Sequence, residues 1–329
     1  MKKLLTISIT FFFILGLVAQ SDTTYQLHFL EPAPTPIKKR KIALGASMST
    51  LYVGGMTGLY TLWYRNTELS KFHFFNDAKE WQQVDKYGHT YTAYFETIWA
   101  TKMFRWSGMS NKKSSIYGAL VGFGAQSSIE LFDGFSSKWG ASWSDIGFNA
   151  LGTGLALTQN LTWQEQRIRL KYSFHEVEHQ DNQLLERSED LYGKSPLERL
   201  IKDYNGTVTW ISVNPTSFMK NPQRAEWLNI AMGFGSGGMY GGFANEWEDE
   251  NGDLIVRNDV ERYRKFLFSF DVDFERIQTE KHGLKTFLTL INIFKVPFPA
   301  MEFNTKGEVI FHPMFFLNWN KPILLKGKK

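Results

Sequence analysis

The stretch KFLFSFDVDFE at residues 265–275 alternates apolar and polar positions. Phe266, Phe268, Phe270, Val272 and Phe274 fall on one side, and Lys265, Leu267, Ser269, Asp271, Asp273 and Glu275 on the other. A period of two is the signature of a strand with two chemically different faces. This strand anchors the second half of the chain as β. Thr207–Val213 and Glu308–Phe316 read as further strands, and Leu284–Phe294 as a packed helix. The glycines from Gly233 to Gly242 lie in an aromatic-dotted loop or strand of wide backbone freedom. No helix follows them to form a phosphate loop.

Outward toward the N-terminus, composition changes at Gln164. Residues 165–206 are charged and helical in pattern, and read as a solvated connector. Before them lie four apolar runs. Ile42–Tyr64 carries no charge over 23 residues and includes Gly45, Gly54, Gly55 and Gly58, which fits a spanning helix or a buried one. The second helix runs from Asp85 to Phe104, and the third is uncharged from Ser114 to Ile129. The fourth opens near Ser142 or Ser144, where a serine can cap free amides, and continues to Trp163. Short connections imply an antiparallel bundle. The expected architecture is α+β. A helical bundle of about four helices over residues 42–164, membrane-embedded or membrane-apposed, precedes a small β-rich domain at 207–329.

The first residues, Met1-Lys2-Lys3 followed by an apolar run through Phe11-Phe12-Phe13-Ile14-Leu15, read as a secretory signal peptide over residues 1–20. A linker over 21–41 follows, with Pro32, Pro34 and Pro36 before the basic cluster Lys38–Lys41. The sequence contains no cysteine, so neither a disulfide framework nor an acylated cysteine is available from it. A net charge of +4 gives no reason to invoke nucleic acid. With 28 Phe, 13 Tyr and 11 Trp the chain is 16% aromatic, which suits a surface that meets lipid or another amphiphile. These features place the protein in the cell envelope, on the periplasmic side of a membrane.

Polar residues in the helices gather by spacing. Asp85 and His89 lie four apart with Lys86 beside them. Gln126, Glu130 and Asp133 follow at spacings of four and three, as do Asp145, Asn149 and Gly152. Buried acids and imidazoles are costly unless paired, so the three stripes should face one another. In one reading Asp85, His89, Glu130, Asp133 and Asp145 form a pocket for a divalent cation or for acid–base chemistry. Lys86, Gln126, Asn149 and Gly152 support it. In the other, the same residues are a hydrogen-bonded network that fixes the register of the bundle. The identity of any metal or cofactor is left open. His175 and His179 sit among Glu176 and Glu178 and read as a solvated face, while His282 and His312 read as incidental.

The runs Phe74-Phe75-Asn76-Asp77, Glu80-Trp81, Asp85-Lys86-Tyr87-Gly88-His89, Glu130-Leu131-Phe132-Asp133-Gly134-Phe135-Ser136, Trp139-Gly140 and Ser144-Asp145 with Asn149 and Gly152 resemble the YfiM-like family of periplasmic lipoproteins. The later runs Asp203-Tyr204-Asn205-Gly206, Trp210–Asn214 and Trp227-Leu228-Asn229 are similar to its longer Bacteroidetes versions. The skeleton of Asp85, Lys86, His89, Glu130, Asp145, Asn149 and Gly152 also resembles VanZ-type membrane proteins. The resemblance implies an envelope location and no defined reaction. The leading expectation is an envelope-maintenance or lipid-interacting protein. The rivals are an enzyme acting on a lipid-linked or cell-wall amphiphile, and a scaffold at the outer membrane that binds a protein partner through the C-terminal domain.

Overall fold

The computed structural model describes residues 29–65, 67–220, 225–249, 251–315 and 322–327. The expected signal peptide and the first part of the linker lie outside the described residues. The fold is α+β, with N-terminal helices followed by an antiparallel sheet.

Helix α1 spans Lys38–Leu59 and closes in a π-helical turn, Tyr60–Tyr64. The basic cluster assigned to the linker is therefore the first turn of α1. Helices α2 (Val84–Trp106), α3 (Asn111–Gly134) and α4 (Trp143–Thr162) pack against one another. Small residues permit the close approach: a Cβ on Gly152 would lie 2.0 Å from the carbonyl oxygen of Thr90, and one on Gly122 would lie 2.3 Å from the hydroxyl of Thr97. Helix α1 lies beside this unit with Ile42, Leu51, Val53 and Tyr60 exposed. It is tied down at a few points. Arg40 donates to the carbonyl of Trp106, Tyr52 to Ser128, and Tyr64 to Asp133.

Within residues 165–206 the helical reading is corrected at its start, where Ile168–Phe174 forms strand β1. Helices α5 (Asn182–Tyr192) and α6 (Pro196–Lys202) occupy the rest, each opened by a side-chain cap, Asp181 and Ser195. Strand β2 is Thr207–Val213, and β3 is Leu228–Gly237, which takes in the first glycines of the glycine-rich run. A separate hairpin joins β4 (Glu246–Glu248) to β5 (Leu254–Val256). After it come β6 (Tyr263–Val272), helix α7 (His282–Ile291), β7 (Ala300–Asn304), β8 (Val309–His312) and β9 (Ile323–Lys326). The main sheet runs β1-β2-β3-β6-β7-β8-β9, antiparallel throughout. The free edge of β1 is partly covered, because Tyr172 exchanges two 2.9 Å backbone bonds with Ile293 and Lys295.

Directly paired residues share a face, and the register sorts the two faces by chemistry. Ile211, Met232, Phe268, Met301 and Phe311 are successive partners across the sheet, as are Thr209, Phe234, Phe266, Phe303 and Val309. This apolar face meets α2 near β1, where Leu170 packs with Tyr94, Ile98 and Ala156. Farther across it is open, with Phe270 56%, Ile230 54% and Phe268 45% exposed. The opposite face is buried and carries the ions. Lys171 and Asp271 pair at 2.8 Å with no exposure of either side chain, and Arg169 reaches Asp273 at 2.9 Å. Val208, Trp210, Ala231, Leu267, Ala300 and Phe315 form the apolar part of the same interior. The sheet thus directs charges inward and phenylalanines outward.

Candidate functional site

The chain enters α2 through three consecutive residues in the left-handed region, Trp81, Gln82 and Gln83, at φ of 47°, 49° and 68°. Such a run is costly for residues with a Cβ. It is held from outside. The Trp81 amide donates to the carbonyl of Gly242, and its ring packs on Tyr192 and Tyr204. The helix that follows presents Asp85, Lys86 and His89 in its first two turns.

Lys86 is fully buried, and its ammonium lies 2.6 Å from Asp77, 2.6 Å from Asp145 and 3.1 Å from Asp85. Asp77 comes from the loop before α2 and accepts from the hydroxyls of Ser142 (2.5 Å) and Ser144 (2.8 Å). Ser142 also caps α4, its hydroxyl accepting from the Asp145 amide, while its own amide donates to Glu130 at 3.0 Å. The serine that starts the helix is therefore part of the cluster. His89 places Nδ1 3.1 Å from Asn149 Oδ1, and Nε2 3.9 Å from both Asp85 Oδ1 and Asp145 Oδ2. Tyr204, from the turn before β2, donates to Asp85 Oδ1 at 2.8 Å.

Burial opposes charge throughout the cluster, and the outcome at each group depends on its partners. At Asp77 and Asp85 the neighbours win. Hydrogen bonds from Asp145, Lys86 and Ser142 hold Asp77 down at about 2, and the charges of His89 and Lys86 hold Asp85 below its ordinary value. At Asp145 and Glu130 burial dominates, raising them to about 8 and about 7. Burial would lower His89 and Lys86, yet the surrounding carboxylates raise both. The cluster therefore pairs two firm carboxylates with two cations, and keeps two further acids near the point of exchanging protons at neutral pH.

Asp85, His89, Glu130, Asp145, Lys86 and Asn149 converge as their spacing predicts. Gly152 contributes the close α2–α4 contact. Asp133 is instead held by Tyr64, 2.7 Å away, and burial raises it to about 6. Gln126 donates to Glu96 at 3.0 Å. Asp77, Ser142 and Tyr204 are site residues that helical spacing does not reveal, although Asp77 and Tyr204 stand in the motifs quoted for the family resemblance. The reading of His175 as solvated is also corrected. It lies 3.2 Å from Lys265 under the sheet, and burial drives its pKa well down. His179 contacts the hydroxyl of Tyr240 at 2.9 Å, and His312 is 2.9 Å from Glu302.

Residues 73–161 match the family described as predicted periplasmic lipoprotein (DUF2279). The matched segment contains every member of the cluster except Tyr204. No curated protein and no solved structure matches the chain. The protein is thus an exported cell-envelope protein, periplasmic or membrane-associated, with similarity to an uncharacterised periplasmic lipoprotein family.

Proposed function

We propose that this protein serves envelope maintenance at a membrane surface, contacting lipid through the outward apolar face of its sheet. The observation that carries the reading is the register of β3, β6 and β7. It places Ile230, Met232, Phe266, Phe268, Phe270, Met301 and Phe303 on one face, all but Met301 among the exposed large apolar residues, with no charged side chain between them. Apolar-out, polar-in alternation is the arrangement of strands that face hydrocarbon.

A second feature points to the same occupant. The segment Lys38–Tyr64 is 27 residues long, with a mean hydropathy of 1.2 over its most apolar stretch and only 11% of that stretch buried. At about 1.5 Å per residue it is long enough to cross a bilayer core. In this reading α1 is the fourth member of the helical unit and turns its exposed side to the membrane, while the open sheet face rests in the headgroup and acyl boundary and carries most of the contact. The resemblance to YfiM-like and VanZ-type envelope proteins supports that placement. An amphiphile-processing enzyme fits less well. The side chains of Asp85 and His89 are 22% and 15% exposed and those of Asp145 and Glu130 5% and 3%, which gives an ion easier access than a lipid headgroup.

The absence of cysteine makes a unique label possible. A Phe268→Cys variant of the full chain, labelled with an environment-sensitive dye, should shift its emission to the blue on phosphatidylcholine vesicles. A label on Glu186→Cys, an exposed site on α5, should not. An unshifted Phe268→Cys label on vesicle-bound protein would remove the lipid reading and leave the face to a protein partner.

A further inference from the structure

We propose that Asp85, His89 and Asp145 form a binding site for one divalent first-row metal ion of the zinc class. One imidazole nitrogen and two carboxylate oxygens lie within 4.8 Å of one another. Asn149 Oδ1 has only lone pairs to offer, so the 3.1 Å contact with His89 Nδ1 requires the proton on Nδ1. In the neutral ring Nε2 then carries a lone pair, aimed at Asp85 Oδ1 and Asp145 Oδ2, each 3.9 Å away. With the ring neutral three acceptors face one another, and a metal ion can take the place of the proton that otherwise sits on Nε2.

The remaining contacts orient the same atoms. Lys86 takes Asp85 Oδ2 and Asp145 Oδ1, which leaves Asp85 Oδ1 and Asp145 Oδ2 turned toward His89. Metal-binding imidazoles and carboxylates commonly have their other polar atoms engaged in this way. A second observation concerns a residue outside the three ligands. Glu130 is 2% exposed, and its Oε1, 3.9 Å from His89 Nδ1, has no hydrogen-bond partner among the described residues. A buried carboxylate oxygen left unmatched beside Nδ1 is costly, and the positive charge that an ion on Nε2 lends to the ring offsets it.

Zinc bonds of about 2.0–2.2 Å to nitrogen and oxygen bring ligand atoms to roughly 3.4 Å from one another, so each carboxylate oxygen would close by about half an ångström on His89 Nε2 from its present 3.9 Å. One imidazole with two carboxylates suits zinc or manganese better than calcium, which takes six to eight oxygens. Lys86 offsets part of the acid charge, which favours moderate rather than extreme affinity.

The test uses the full chain, stripped with chelator and titrated with Zn²⁺ by calorimetry, with bound metal counted after dialysis. One ion per chain is expected. Asp85→Asn and His89→Gln should weaken binding at least tenfold, while His73→Gln, at an exposed site outside the cluster, should leave it unchanged. Circular dichroism checks that each variant folds. If the site variants do not fold, Co²⁺ in the wild-type protein decides by pulsed electron paramagnetic resonance. Coupling to one imidazole nitrogen supports the site, and none or several overturns it. A wild-type chain that binds no stoichiometric ion, or folded site variants that bind as tightly as wild type, would mean that a protonated His89 balances the carboxylates and no metal does. Vesicle binding is not a readout of this experiment, so its result is separable from the lipid reading.

Discussion

At Glu96 a carboxylate on α2 is buried against α3, and its one hydrogen bond comes from the amide of Gln126. Burial outweighs that bond and raises its pKa to about 7. A folded-state pKa above the unfolded value near 4.5 means that the folded protein binds more protons between those two limits. Its stability is then greatest below about pH 4.5 and falls as pH rises toward 7. The loss attached to this group is on the order of 3 kcal/mol. In Glu96→Gln that limb should be flatter, so the variant should gain on wild type as pH rises from 4.5 to 8, measured as urea midpoints. Parallel profiles for the two proteins would mean that Glu96 titrates normally. At this scale the sequence is legible where one helix does the positioning. Asp85 and His89 share a face because four residues make about one turn. Tyr204 reaches Asp85 from 119 residues away, and Asp77 arrives from a loop, so no local period encodes either contact.

The elements show a second limit of the same kind. Strand β6 is legible in the alternation of residues 265–275, but alternation does not say which face meets water. That was decided by β3 and β7, whose register carries Phe266 and Phe268 into line with Phe234, Met232, Phe303 and Met301. Strand β1 alternates too, with Leu170, Tyr172 and Phe174 opposite Arg169, Lys171 and Ser173. Its basic residues resemble the charged segment after it, so composition groups β1 with the helices that follow. The helix boundaries were easier, because Ser142 caps α4 and the apolar runs have the length of helices. What periodicity could not weigh is how closely α2 and α4 approach. Gly152 faces the carbonyl of Thr90, and a Cβ there would lie 2.0 Å from a backbone oxygen that has no rotamer by which to yield. Gly152→Ala should therefore separate the two helices and destabilise the fold by about 2 kcal/mol or more, despite alanine's better helix propensity. Thermal unfolding gives the answer, and a variant as stable as wild type would show that α2 and α4 pack less closely than described.

For the whole molecule, the distribution of charge is the reverse of what water alone would select. Lys171, Asp271, Arg169 and Asp273 are paired in the interior of the sheet, while phenylalanines of β6 and β7 are left open. Buried pairs add little net stability, yet removing one partner strands the other and costs about 3–5 kcal/mol. The polar interior thus fixes the sheet in one arrangement, and the outward face is free to serve something other than folding. A joint replacement of Phe266, Phe268 and Phe270 by serine separates the two roles. These side chains are 38%, 45% and 56% exposed, so in water the substitutions forfeit only partial burial. Against hydrocarbon they forfeit the contact area itself, about 1 kcal/mol or more for each ring at 25 cal/mol per Å². The triple variant should bind phosphatidylcholine vesicles on the order of 100-fold more weakly by flotation. Its urea midpoint, measured without lipid, should move much less than that of a Lys171→Met variant, which removes the ion-pair partner of buried Asp271. A triple variant that unfolds readily yet floats like wild type would reverse the assignment, making the phenylalanines part of the core and α1 the membrane contact.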